Sequence, residues 1–316
     1  MHHHLARSGQ RALATAVALA CAALLCTALA ATAQAKTTKP AKQKTTTTKI
    51  TPSTPVTPGS GYLALGDSVT FGYMESTVVP APDYASAASF DGYPEMLGAG
   101  LHLKVANLAC PGETSASFIN ASAASNGCEN APSTTSPVYR KLFPLHVKYS
   151  GSQLSEAVKY LKTHKGVRLV SLMIGANDFF LCEETTADQC TSPAEQLAVL
   201  QTVEKNVRTI LGTIRTKAHY AGQIALVNYY SLDYALPTDN TQSEALNQYM
   251  DLGAKDDNVR IVNGFKAFEV ASTHSGNDSC TAGLLTQLST GGCGVHPSTA
   301  GQALLASALQ QTIKLS

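Results

Sequence analysis

The chain has almost no net charge, +1 over 316 residues, and only 14% of its positions are Asp, Glu, Lys or Arg. Without a basic field it offers no general electrostatic hold on nucleic acid, and no nucleic-acid partner is expected. It has neither a C-x-x-C nor an H-E-x-x-H segment, so the common zinc sites find no ligand set in it and no metal is expected. The first sixty residues contain no Asp or Glu, against seven Lys and Arg. Residues 61–316 therefore hold 16 Lys and Arg against 22 Asp and Glu, a net −6. Beyond residue 31 no second run of about 20 apolar residues follows, so stable membrane insertion is not expected once a leader is removed. What is present is 44% apolar residues, in runs punctuated by Gly, Asn and Pro, which excludes low-complexity disorder for most of the chain.

The amino terminus reads as an address. Arg7 and Arg11 precede an Ala/Leu/Val run over residues 12–31, and Ala33-Gln34-Ala35 supplies the small-x-small pattern of a cleavage site. Residues 1–35 are expected to be a secretory signal peptide, with a retained anchor as the alternative. His2 to His4 read as a stray start or tag fragment. Residues 36–60, almost wholly Thr, Lys, Pro, Ala, Ser and Gln, cannot bury enough apolar surface to offset ordering and are expected to form a flexible linker. Its positive charge could rest on an anionic envelope. The expected location is outside the cell, with residues 61–316 as the working domain.

Six cysteines remain after the leader: Cys110, Cys128, Cys182, Cys190, Cys280 and Cys293. Export places them where disulfides persist, and six allow 15 pairings. They come as three close couples in three loop-like stretches, which favours Cys110–Cys128, Cys182–Cys190 and Cys280–Cys293. Each would stabilise by about 2–3 kcal/mol in the chain-entropy model.

Apolar runs at 62–65, 105–108, 167–174, 224–227 and 259–262 read as strands, nearly continuous in apolar character. Helical spacing appears over 93–103, 153–164, 193–219, 241–252 and 297–313, with Leu197 and Leu200 on the inner stripe of the third and Ala300, Leu304, Ala308 and Leu309 facing in on the last. Residues 113–150, rich in Ser, Asn and Pro, read as a long surface excursion. Strands alternating with helices imply a parallel sheet covered on both faces, in an α/β domain whose ligands sit beyond the carboxyl ends of the strands.

Four such ends carry unusual residues: Gly66-Asp67-Ser68-Val69-Thr70-Phe71-Gly72, Asn107 to Thr114 with Pro111-Gly112, Gly175-Ala176-Asn177-Asp178, and Gly294-Val295-His296-Pro297. They supply a hydroxyl at a strand-to-helix turn, a main-chain amide freed by glycine, a carboxamide and an imidazole. Those are a nucleophile, two kinds of oxyanion donor and a general base. Each has a bland reading too: Ser68 as a helix cap, Asn177 as a turn residue, Asp178 as the cap of the helix that follows, Asp67 as a holder of nearby amides. The Tyr229, Tyr230 and Tyr234 cluster suits pocket lining or core packing equally. His102, His146, His164, His219 and His274 lie in helical or irregular polar settings and read as surface or packing residues.

The four segments, in this order, resemble the sequence blocks of the GDSL-type SGNH hydrolases, over residues 62–302. Gly92-Tyr93-Pro94 and the paired cysteines are further similar to the secreted actinobacterial branch of that family. The resemblance implies a three-layer α/β/α sandwich, flavodoxin-like, with a five-stranded parallel sheet and hydrolysis of carboxylic esters without a cofactor. It implies Ser68 as nucleophile, His296 as base, and Ser68, Gly112 and Asn177 as the oxyanion hole. The G-x-S-x-G elbow of other serine hydrolases is absent. One departure stands out: the Asp usual three residues before the histidine is replaced by Cys293. A main-chain carbonyl near Cys293, or Asp278, is expected to orient the imidazole instead. The expected activity is a secreted esterase or lipase, monomeric, acting on small-molecule or lipid esters. The alternatives are a polysaccharide O-deacetylase of the same fold and a catalytically degenerate envelope-binding protein.

Overall fold

A computed structural model describes residues 54–132 and 138–316. The signal peptide expected at 1–35 and most of the linker expected at 36–60 lie outside the described residues. The last part of that linker differs from the expectation: Val56, the one apolar residue between Thr54 and Ser60, is buried and bridges Leu315 near the other terminus. An isolated valine among polar residues is enough to pin the segment, because its main chain pairs there too, Val56 N–H donating to Lys314 O (2.9 Å) and Val56 O accepting from Ser316 N–H (3.2 Å).

Five strands form one parallel sheet: β1 (Gly61–Gly66), β2 (Lys104–Asn107), β3 (Val167–Met173), β4 (Gln223–Val227) and β5 (Val259–Val262), in the order β2-β1-β3-β4-β5. This is the flavodoxin-like strand order, in which the direction of winding reverses between β1 and β3. The central strands β1, β3 and β4 are buried almost end to end, as a sheet covered on both faces requires. The helices are α1 (Ser68–Phe71), α2 (Tyr93–Leu101), α3 (Ser115–Ile119), α4 (Tyr139–Leu142), α5 (Gln153–Thr163), α6 (Ala176–Thr185), α7 (Pro193–Lys217), α8 (Pro237–Ala254), α9 (Gly264–Ser272) and α10 (Thr299–Thr312). α2, α9 and α10 pack together on one side, while α3, α5, α6 and α8 pack around α7 on the other. Among the described residues no helix is long and apolar enough to cross a membrane.

Several expectations need correction. The excursion after Gly112 is not confined to the surface, since Phe118, Cys128 and Tyr139 are buried in it. α3 starts where Thr114 caps Ser117 N–H, a short-range signal lost among the many Ser and Asn residues. On α7, Leu200 faces in but Leu197 is 43% exposed. On α10 the buried stripe is Gly301, Gln302, Leu305, Ala306 and Leu309, so of the four residues expected to face in Leu309 lies on it, Leu304 and Ala308 are half-buried at its edge and Ala300 is exposed. Gln302 explains the rotation: its amide is buried, accepting from Tyr93 N–H (2.9 Å) and donating to the Val69 carbonyl (3.0 Å). Finally, an antiparallel ribbon of β6 (Leu285–Gln287) and β7 (Cys293–Pro297) precedes α10. Its strands are too short to show a period of two.

The three disulfides pair Cys110 with Cys128, Cys182 with Cys190 and Cys280 with Cys293.

Candidate active site

β1 runs out at Gly66, whose φ of 144° only glycine adopts readily, and the chain turns into α1. Asp67 caps that helix, its Oδ1 accepting from Val69 N–H at 3.0 Å while its other oxygen accepts from the Tyr229 hydroxyl. Burial is the main influence on Asp67 and pushes its carboxyl up to about 6, against the opposing hydrogen bonds from Tyr229 and Val69. The cap places Ser68 first in the helix, with its N–H among the amides that have no partner along the helix.

The other loops are tied to this turn by buried amides. Gln153 accepts from Gly66 N–H (2.7 Å) and donates to Gly66 O (2.9 Å) and to Glu113 Oε2 (3.0 Å). Asn107, at the end of β2, donates to Thr70 O at 2.8 Å. Cys110 N–H reaches Gly66 O at 3.2 Å, and two residues later Gly112 turns with φ 82°. Burial, and then the neighbouring Glu129, hold the Glu113 carboxyl well above its usual range, so it suits a hydrogen-bonded interior. After β3, Gly175 turns the chain into α6, which carries Asn177 in its first turn. Asp178 does not cap that helix as expected. It accepts from Ser115 N–H (2.8 Å) and Ser115 Oγ (2.6 Å), capping α3 and fastening the Gly112 loop to the Asn177 turn. Burial pushes Asp178 up to about 6, against the pull of Ser115. Ser68, Gly112 and Asn177 thus stand at the ends of β1, β2 and β3, around the switch point of the sheet.

His296 arrives from the ribbon. Its Nε2 lies 2.9 Å from Ser68 Oγ, and its Nδ1 lies 2.7 Å from Oε1 of Glu75. Glu75 therefore stands where the main-chain carbonyl near Cys293 or Asp278 was expected. Cys293 is held away by its disulfide to Cys280 and by β6–β7 pairing with Gln287, and Asp278 turns back to accept from Thr281 N–H at 2.6 Å. Glu75 lies in the loop after α1, which docks on the ribbon through a Val78–Leu288 bridge. Val295 N–H also donates to Oε1 (3.0 Å) and Thr286 Oγ to Oε2 (2.6 Å). Gly294 is required there, since a Cβ on it would fall on the Glu75 carboxylate. Burial works to raise the Glu75 carboxyl, but the facing His296, then Thr286, outweigh it and bring it down to about 2. A signal for Glu75 was present in the sequence: it is the only acid between Asp67 and Asp83.

The tyrosines after β4 support the site from behind. All three are buried; Tyr229 holds Asp67, Tyr230 donates to Val295 O at 2.7 Å, and Tyr234 donates to Phe265 O at 2.6 Å. In front, Tyr73 sets its ring against His296, centroids 4.9 Å apart, as the edge of a cluster with Phe71, Phe90, Tyr84 and Tyr139.

The fold and this arrangement define an α/β protein with a serine, an imidazole and a carboxylate in hydrogen-bonded series. The model of the GDSL-like lipase/acylhydrolase family matches residues 64–304, and the chain belongs to that family. It is a carboxylic ester hydrolase. No curated protein matches the chain. Among solved structures it is similar to a putative GDSL-like lipase from Parabacteroides merdae (16% identity, 82% of this chain and 98% of that one, TM-score 0.48). It is also similar to the acetylxylan esterase Axe2 from Geobacillus stearothermophilus (17%, 82% and 95%, TM-score 0.48). A lipase from a goat rumen metagenome shows the same level of likeness (13%, 80% and 96%, TM-score 0.49).

Proposed function

We propose that the chain is an exported serine esterase, with Ser68 as nucleophile, His296 as general base and Glu75 as the acid that orients it. The single observation that carries this reading is the series Ser68 Oγ–His296 Nε2 and His296 Nδ1–Glu75 Oε1, at 2.9 and 2.7 Å. A carboxylate facing Nδ1 keeps the proton on that nitrogen and leaves Nε2 as a lone-pair acceptor for the serine proton.

In the first half-reaction Ser68 Oγ attacks the ester carbonyl carbon as Nε2 takes its proton. The carbonyl oxygen becomes an oxyanion received by Ser68 N–H, Gly112 N–H and Asn177 Nδ2. The C–O bond to the alcohol then breaks as His296 returns its proton to the leaving oxygen, and an acyl-Ser68 ester remains. Water, deprotonated by His296, attacks that ester; Ser68 leaves with the proton and the free acid departs. Glu75 stays ionised throughout and stabilises the imidazolium. A degenerate, merely binding protein is disfavoured by the carboxylate that faces His296.

Export is supported by the Arg-apolar-Ala33-x-Ala35 leader and by three disulfides, which persist in oxidising surroundings. Hydrolysis of a chromogenic short-chain ester tests the reading, with Ser68→Ala expected to lose about 10⁶-fold in kcat. A fluorophosphonate should label the wild type and not the alanine variant. Wild-type turnover by Ser68→Ala would remove Ser68 from the reaction.

A further inference from the structure

Asn126 lies in none of the four chemistry-bearing segments, yet it touches two of them. Its main-chain N–H donates to Gly112 O at 2.8 Å, and its side-chain Nδ2 donates to Asn177 Oδ1 at 3.0 Å. We propose that Asn126 is a positioning residue that decides which end of the Asn177 amide faces the substrate oxyanion. This rests on the assignment of Asn177 as an oxyanion donor made above.

A carboxamide has two nearly isosteric ends of opposite polarity. With Nδ2 toward the substrate it stabilises the tetrahedral intermediate; turned half a revolution, it sets Oδ1 against a developing negative charge and opposes the reaction. Asn177 is covered, at 5% exposure, so water does little to choose between the two. With an N–H donor already on Oδ1, turning the amide would bring two NH₂ groups face to face and leave the pair unsatisfied. The hydrogen bond from Asn126 thus makes one orientation the resting state before substrate arrives, the condition for an oxyanion donor that needs no reorganisation.

The main chain that carries Asn126 is itself fixed. On either side, Ser125 N–H donates to Asn130 Oδ1 (2.8 Å) and Gly127 N–H to Asn130 O (3.0 Å). Two residues on, Cys128 is bonded to Cys110, which lies two residues before Gly112. A Cβ on Gly112 would run into the Asn126 carbonyl, so the approach of the two loops is set by that glycine. The disulfide loop therefore delivers a side chain to a neighbouring loop as well as bracing its own.

Steady-state kinetics on a soluble ester separate this from a structural role. Asn126→Ala keeps the main-chain bond to Gly112, and should lower kcat about 10-fold with KM within about twofold and an unchanged melting temperature. Asn126→Asp, nearly isosteric, presents an acceptor that turns the Asn177 amide round, and should lower kcat about 100-fold, close to Asn177→Ala. In the Asn177→Ala background, Asn126→Ala should add less than about twofold, because no amide is left to orient. Wild-type kcat in both single variants overturns the proposal. So does an Asn126→Ala loss that multiplies in full onto that of Asn177→Ala. Ser68→Ala run beside them keeps the two readings apart: if it is inactive while both Asn126 variants are unaffected, only the role of Asn126 falls.

Discussion

The two ends of the site are built differently. Ser68, Gly112 and Asn177 follow β1, β2 and β3; the buried amides of Asn107, Gln153 and Gln302 lock the first two turns, and the Asp178–Ser115 bonds tie the third to the Gly112 loop. His296 and Glu75 stand outside the central sheet, one on a two-stranded ribbon and the other on a loop docked against it. The first end is set by the central sheet, because each of its three turns leaves a strand of that sheet. The second is held by the Cys280–Cys293 disulfide, the Glu75 contacts and the Tyr230 hydroxyl. With the roles proposed above, the contrast teaches that a nucleophile and its oxyanion donors can be inherited from a sheet, whereas the base and its acid need a separate assembly.

After the loss of Ser68 itself, the largest expected effect would break this picture at its outer end. Glu75→Gln keeps the shape but lets the imidazole take the wrong tautomer, and should lower kcat by about 10⁴-fold. Asp278→Asn, at a carboxylate that accepts from Thr281 N–H within its own turn, should leave kcat within about twofold; a reversal of the two results would return the acid role to Asp278. At the sheet end, Asn177→Ala removes one of the three proposed oxyanion donors and should cost about 10²–10³-fold in kcat with little change in KM.

The disulfides sharpen the contrast. Replacing Cys280 and Cys293 by serine opens a loop of 13 residues and should cost about 2–3 kcal/mol of stability. Because β7 carries His296, kcat should fall as well. Replacing Cys182 and Cys190, which brace the far end of α6, should lower the melting temperature while sparing kcat. Equal losses of kcat in both variants would mean that the ribbon is held by something else.

The smallest effect is a difference in sign with pH. Glu75 is lowered from 4.5 to about 2 in the fold, so its contribution is complete above about 4.5 and is lost as pH falls toward 2. Asp67 and Asp178 are raised from 3.8 to about 6, so the fold favours their protonated forms and their contribution is lost as pH rises from about 4 to 6. Urea midpoints taken from pH 4 to 6.5 should fall less steeply in Asp178→Asn than in the wild type. Identical slopes would show that Asp178 is ionised in the fold across that range.

Much of the sheet end was legible because its information is contiguous. Val167 to Met173 is apolar enough to be a buried strand and stops at a glycine, and Gly66-Asp67-Ser68 is a strand end, a cap and a helix start in three successive residues. The pairing of the six cysteines was legible for a similar reason, since each couple closes a short loop. The stripe on α10 lies one position from where its apolar residues alone put it, because Gln302, polar by type, is buried by two specific hydrogen bonds. Asp178 caps a different helix from the one its position suggests, because a carboxylate next to a helix start caps that helix by default and only packing brings Ser115 to it.

By itself the sequence determined the alternation of apolar strands with amphipathic helices, and with it a parallel sheet whose carboxyl ends carry a serine, a free amide and a carboxamide. Those features are written in neighbouring residues, where backbone preferences and side-chain period act directly. Only the tertiary structure decided that Glu75 meets a histidine 221 positions away, that Asn126 reaches Asn177, and that a ribbon carries His296. Such pairings arise where two loops of no periodicity dock, and a carboxylate's partner is then set by shape and charge across the gap rather than by any spacing along the chain.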